Sequence, residues 1–152
     1  MPDKLIKTLS TFFYVGYFPA APGSVASFAG LLGIIVLHDY WGAYIAVTII
    51  VTILGFAVCG KAEKIFNEKD PSRIVIDEVA GSLMAFFMLP LTPSVLITAY
   101  FLFRAFDMFK VYPVNKFEEI PGAAGIMCDD IFAGIYTNIV MHLALKWAAL
   151  IS

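Results

Sequence analysis

Apolar segments fill most of this chain, at 24–38, 42–60, 76–90, 94–109 and 131–150, with turns and polar loops between them. The second and fifth reach the roughly 20 residues that cross a bilayer, while the first, third and fourth are short and need tilt or neighbours to do so. Hydrophobic residues make up 61% of the 152 positions and charged residues 14%, against about 25% charged in soluble domains. A soluble domain of this size leaves about a third of its unfolded surface in water, so no soluble core could absorb that much apolar area. Lipid must act as solvent for part of the chain. The expected fold is all-α, a single domain over 1–152 built as a polytopic membrane helical bundle of about five short transmembrane or partly re-entrant helices. The polar start MPDKLIKTLS, followed by an apolar stretch that runs into prolines, does not read as a cleavable signal peptide. Cys59 and Cys128 lack disulfide or metal spacing and read as small hydrophobes.

Charge orients the bundle. Pro90 and Pro93 in MLPLTPS either kink one helix or divide 76–109 into two. Division gives five spans and collects Lys4 and Lys7, then Lys61, Lys64, Lys69 and Arg73, then Lys110 and Lys116 on the N-terminal side. The turns HDYWG and LPLTP on the other side hold no lysine or arginine. An excess of Lys and Arg marks the cytoplasmic side, so the N-terminus is expected inside. Lys146, near the outer end, snorkels to the interface, and Tyr40, Trp41 and Tyr44 suit an outer aromatic belt.

Polar residues then converge on the inner face. Asp77 and Glu78 open the third apolar segment, Arg104 and Asp107 close the fourth with Lys110 beyond, and Asp129 and Asp130 precede the fifth. Each pair has a plain reading. Acidic residues in a first helical turn cap free N–H groups and favour the helix dipole, and Arg104 with Asp107 is an i, i+3 ion pair. Together, however, five carboxylates at one face repel one another unless cations sit among them, and Arg104 and Lys110 supply only two charges. A divalent cation is the natural supplement, and carboxylate ligands favour Mg²⁺, Ca²⁺ or Mn²⁺ over zinc. In APGSVAS, Pro22 and Gly23 lead into Ser24, a helix N-cap by this reading, and Ser27 follows one turn later; amides at a helix start form a phosphate cradle. A carboxylate–metal cluster beside a phosphate cradle and two cations reads as a membrane phosphatase or phosphotransferase. His38 falls on the outer side and His142 lies mid-helix, both with structural roles.

The blocks YFPAAPGSVASFAG, IDEVAGSLMA, FRAFDMFKVYPV and GAAGIMCDDIFAG resemble, in order, the signature blocks of the phosphatidylglycerophosphatase A family, from about Gly16 to Gly134. That resemblance implies a Mg²⁺-dependent lipid phosphatase of the bacterial inner (cytoplasmic) membrane, which removes the terminal phosphate of phosphatidylglycerophosphate and leaves phosphatidylglycerol. It implies catalytic roles for Asp77, Arg104, Asp107, Lys110, Asp129 and Asp130, with Asp77, Glu78, Asp129 and Asp130 as metal ligands. Substrate contacts then fall to Pro22, Gly23, Ser24, Ser27, Arg104 and Lys110. Val111 stands where the family usually has proline, and alanines replace glycines in GAAG. Asp107 is the expected base for a water attacking in line, with an aspartyl-phosphate as the competing route. The expected partner is phospholipid, with no nucleic acid and with homo-oligomerisation left open. The alternative functions are a carboxylate-lined ion or metabolite transporter, or a related membrane phosphatase with another substrate.

Overall fold

The computed structural model describes residues 1–110, 112, 116 and 120–151. Among them the regular elements are all helical: α1 (Asp3–Ser10), α2 (Pro22–Leu37), α3 (Trp41–Phe66), α4 (Ile76–Ala85), α5 (Pro93–Phe109) and α6 (Ala123–Ile151), with a 3₁₀ turn at Val15–Tyr17. Proline at the first helical position starts both α2 and α5, where its missing N–H costs nothing. Left-handed residues stop α3 at Asn67 and α5 at Lys110. The chain breaks between Ala85 and Pro93, so 76–109 forms two helices, as the charge pattern requires.

Boundaries differ from the sequence reading in three places. The helix of the second apolar segment, read as 42–60, runs on to Phe66 and carries Lys61 and Lys64. The third apolar segment is helical only to Ala85, and Met88 beyond it has φ +55°. The last helix begins at Ala123, directly after Gly122 at φ +77°, and not at 131. Alanine-rich AAG extends a helix readily, so Asp129 and Asp130 lie well inside α6 and do not cap its start.

The helix α4 is the hub. Eight of its ten residues are buried, among α2, α3, α5 and α6. It crosses α6 where Gly81 meets Gly134, each so close to the other helix's backbone that a Cβ on either would collide with it. Small residues of this kind let helix backbones approach inside a membrane. The long helices α3 and α6 run antiparallel. Gly60 lies beside Ala123 and Gly55 against Met127 at one end, while Tyr44, Phe87, Asn138 and His142 gather at the other.

Two helices, α3 and α6, are long and apolar enough to cross a membrane, with mean hydropathy of 2.3 and 1.2 over their most apolar stretches. Their outward faces carry exposed Ile49, Ile50, Ile53 and Phe56 on α3, and Ile139, Leu143, Trp147 and Leu150 on α6. Such faces are unfavourable in water and suited to lipid.

By contrast α4 spans about 15 Å at 1.5 Å per residue, half a hydrocarbon core, so its last carbonyls end among protein groups. The Tyr44 hydroxyl donates to Leu83 O, and Asn138 Nδ2 donates to Ala85 O at 3.2 Å and Phe87 O at 2.7 Å. His142 Nε2 lies 3.2 Å from Phe87 O. Backbone that ends at membrane depth needs such partners. Tyr44 is therefore a fully buried cap-like donor and not part of an outer belt; Tyr40 stays exposed and Trp41 packs edge-on against Tyr44 and Phe87. The His38 imidazole pairs with Asp39 at 3.1 Å in the turn after α2. Replacing Asn138 by leucine removes both of its donated bonds and is expected to destabilise the bundle by about 1–3 kcal/mol. A lowered unfolding temperature in detergent checks this, and an unchanged one refutes the capping role.

Candidate active site

A turn closed by the Ile74 N–H on Pro71 O at 2.8 Å leads through Val75 into α4 at Ile76, so Asp77 and Glu78 occupy the dipole-favoured first turn of a helix whose next turn is apolar. The crossing at Gly81 and Gly134 presses Asp130 of α6 against that turn, since Gly81 abuts the Asp130 carbonyl. One carboxylate oxygen each from Asp77, Glu78 and Asp130 lies within 4.8 Å of the others. Asp77 and Asp130 are 5% and 4% exposed, a depth at which an unpaired carboxylate is costly.

Asp129 is one residue away and faces elsewhere, because successive helical residues point about 100° apart. Its Oδ2 accepts from Lys110 Nζ at 3.3 Å, and its Oδ1 accepts from the Asp130 N–H at 3.0 Å. The two aspartates expected to act as one ligand pair therefore have different neighbours. Asp130 joins Asp77 and Glu78, and Asp129 joins the cation at the end of α5.

Arg104 and Asp107 form the expected i, i+3 pair, with Nη1 2.6 Å from Oδ2 and both side chains largely buried. Arg104 Nη1 also donates to Ser27 Oγ at 3.3 Å, and Ser27 Oγ in turn donates to Gly23 O at 2.8 Å. Asp107 lies within electrostatic reach of Asp130 and in the field of Lys110. The Glu78 carboxylate rests on the bare Cα of Gly23, filling the space a Cβ would take.

Ser24 is not the N-cap. That position is Ala21, at φ +49°, and Ser24 is the third residue of α2. The first-turn amides of a helix still lack intrahelical partners, and this turn is held by Tyr100, whose hydroxyl donates to Ser24 O at 2.9 Å. Tyr100 was not singled out in the sequence, though it stands one turn before Arg104 on the same face of α5. Gly23, Ser27, Glu78, Arg104 and Asp107 are thus joined through direct contacts, and Asp77 and Asp130 lie within 4.8 Å of Glu78. Asp129 pairs with Lys110 beside Asp130, and Pro22 and Ser24 adjoin Gly23 in the first turn of α2.

Among the described residues, four buried atoms here have no partner: Asp77 Oδ1, Glu78 Oε2, Asp130 Oδ1 and Arg104 Nε. Buried polar groups are nearly always hydrogen-bonded. Three clustered carboxylates, each with an unpartnered oxygen, fit a divalent cation with oxygen ligands, and the unpartnered N–H of Arg104 fits an anion.

A family model for phosphatidylglycerophosphatase A matches residues 8–145. The chain belongs to the phosphatidylglycerophosphatase A family. Phosphatidylglycerophosphatase A of Haemophilus influenzae is 34% identical, over 93% of this chain and 90% of its own length. The Escherichia coli enzyme of the same name is 29% identical over 88% and 80%. A Bacteroides thetaiotaomicron protein, provisionally named a phosphatidylinositol-3-phosphatase, is 31% identical over 96% of each chain. No solved structure matches. As a member of the phosphatidylglycerophosphatase A family the chain is an enzyme, a hydrolase of phosphoric monoesters.

Proposed function

We propose that this enzyme is a Mg²⁺-dependent phosphatase of the bacterial cytoplasmic membrane. It hydrolyses the terminal phosphomonoester of phosphatidylglycerophosphate to phosphatidylglycerol and inorganic phosphate, at the cytoplasmic face. The observation that carries the reading is the clustering of the Asp77, Glu78 and Asp130 carboxylates within 4.8 Å, each with an unpartnered oxygen among the described residues, in the field of Arg104, whose Nε is likewise unpartnered.

In this reading Asp77, Glu78 and Asp130 hold Mg²⁺, with Asp129 close enough to adjust that set while it holds Lys110. The ion, when bound, supplies charge neutralisation at the phosphate oxygens and Lewis acidity. Arg104 and Lys110 balance the remaining negative charge, and the first-turn amides at Gly23 and Ser24 orient the phosphoryl group. Asp107, steadied by Arg104, takes the proton of the water that attacks phosphorus. The bond from phosphorus to the lipid glycerol oxygen breaks, and that oxygen is protonated as it leaves.

Helix lengths agree with a site at lipid headgroup depth. The 29 residues of α6 extend about 44 Å at 1.5 Å per residue, some 14 Å more than a hydrocarbon core of about 30 Å. If the excess projects on the lysine-rich side, Asp130, seven residues from the start of α6, lies about 10 Å along it and near the membrane surface. The N-terminus, the C-terminal end of α3 and the 67–75 loop then face the cytoplasm, α3 and α6 span fully, and α2 and the α4–α5 pair complete about five crossing or re-entrant segments.

The test is phosphate release by the purified protein in mixed micelles holding phosphatidylglycerophosphate. Release is expected with Mg²⁺, is abolished by EDTA and returns on re-adding Mg²⁺. Release that persists in EDTA overturns the metal role. A parallel assay on phosphatidylinositol 3-phosphate decides between the two substrates suggested by the relatives' names, and faster turnover of the inositol lipid overturns the substrate assignment.

A further inference from the structure

Between α1 and α2 the chain makes a turn that residues with a Cβ rarely adopt. Phe12, Phe13 and Tyr14 are consecutive left-handed residues, at φ 43°, 55° and 71°, a conformation unfavourable for bulky side chains with a Cβ. Local bonds hold it. The Phe13 N–H donates to Thr8 O at 2.8 Å, the Gly16 N–H to Thr11 O at 2.9 Å, and the Tyr14 N–H to Thr11 Oγ1 at 3.2 Å. Phe12 turns inward onto the core, and the turn thereby aims Phe13, Tyr14, Tyr17 and Phe18 outward, where Phe13 is 67% exposed.

The turn is also fastened to the active site. The Val75 N–H donates to Ser10 O at 3.0 Å, two residues before Asp77, and Gly16 touches the Arg73 backbone. Ahead of it, α1 packs Ile6 and Leu9 against the lysine-rich end of α3 and leaves Lys4 and Leu5 exposed. Lys7 lies over the Phe66 ring. Exposed aromatics beside lysines, at the end of a bundle with apolar outer faces, match the composition of a membrane–water interface.

We propose that α1 and the 12–18 turn form an interfacial anchor, seated among the headgroups of an anionic leaflet, which holds the Asp77–Glu78–Asp130 cluster at the depth of a lipid phosphate. The aromatic rings enter the headgroup layer and Lys4 and Lys7 meet its negative charge. The anchor rests on the membrane reading given above but is tested separately from it. The strain at residues 12–14 has a purpose in this account: beside it four rings stay exposed to lipid instead of packing into the core.

Tryptophan fluorescence in vesicles of brominated phosphatidylglycerol and phosphatidylcholine tests the proposal. Trp147 in a Trp41→Phe chain reports on α6, and Phe13→Trp in a Trp41→Phe, Trp147→Phe background reports on the turn. Quenching of both is expected. Quenching of Trp147 without quenching at position 13 overturns the anchor and leaves the membrane reading standing; loss of both overturns both. In mixed micelles the Phe13→Ser, Phe18→Ser double variant is expected to raise the apparent KM, in lipid mole fraction, roughly tenfold or more while kcat holds, given the apolar area withdrawn from lipid. An unchanged KM, or a fall in kcat alone, overturns the proposal.

Discussion

Replacing Asp130 by asparagine is expected to lower Mg²⁺-dependent phosphate release by about a thousand-fold, the scale seen when one preorganised charge-stabilising group is removed from an active site. Asparagine keeps the volume of the side chain and the close passage of α6 over Gly81. It removes one negative charge from a buried space where Asp77 and Glu78 already lie within 4.8 Å. Like charges at that range oppose folding, so the unfolding temperature of the metal-free variant should hold or rise. Activity and stability therefore move in opposite directions. A side chain that only braced the helices would lose both together, and that result would remove Asp130 from the site. Mg²⁺ should also stabilise the native protein against heat and fail to stabilise the variant, because a ligand that binds only the folded state raises its stability.

Arg104→Met is expected to be the most damaging single change to the fold within the site. Its Nη1 pairs with Asp107 at 2.6 Å and reaches Ser27, and its charge offsets Glu78 and Asp130 as well. Removing one member of a buried ion pair leaves an uncompensated charge, at a cost of about 3–5 kcal/mol. Activity should vanish along with much of the folded population. The double variant Arg104→Met, Asp107→Asn separates the two effects. Recovery of the unfolding temperature without recovery of phosphate release is the expected result. Recovery of both would show that Arg104 serves only the fold. Arg104→Lys should fold but turn over slowly, since an ammonium cannot span Asp107, Ser27 and a phosphate as a planar guanidinium can.

Much of the site was legible in the chain because its parts are local. The i, i+3 spacing of Arg104 and Asp107 foretold their ion pair, and Asp77 and Glu78 stand in the first turn of α4 as the apolar pattern after them required. The block from Phe103 to Lys110 keeps its charges on one end of one helix, so reading it needed no tertiary contact. Asp129 and Asp130 were harder. Their roles depend on where α6 begins, and AAG carries the helix back to Ala123 with no cap residue to announce it. Once both lie inside a helix they diverge, one to Lys110 and one to Asp77 and Glu78. Tyr100 and Asn138 bond to main-chain carbonyls distant in sequence, and a hydroxyl or amide among apolar residues gives no sign of which carbonyl it will meet.

The sequence by itself determined the apolar character, the helical class, the gathering of carboxylates and lysines at one end and the family. These follow from composition, from periodic charge and from short motifs. Only the tertiary structure decided which carboxylates share one space. That choice depends on the rotational phase of α6 and on its crossing of α4, and the crossing is set where Gly81 and Gly134 have no side chains to keep the backbones apart. Two hydrogen atoms in place of two side chains let α6 come close enough to bring Asp130 beside Asp77 and Glu78.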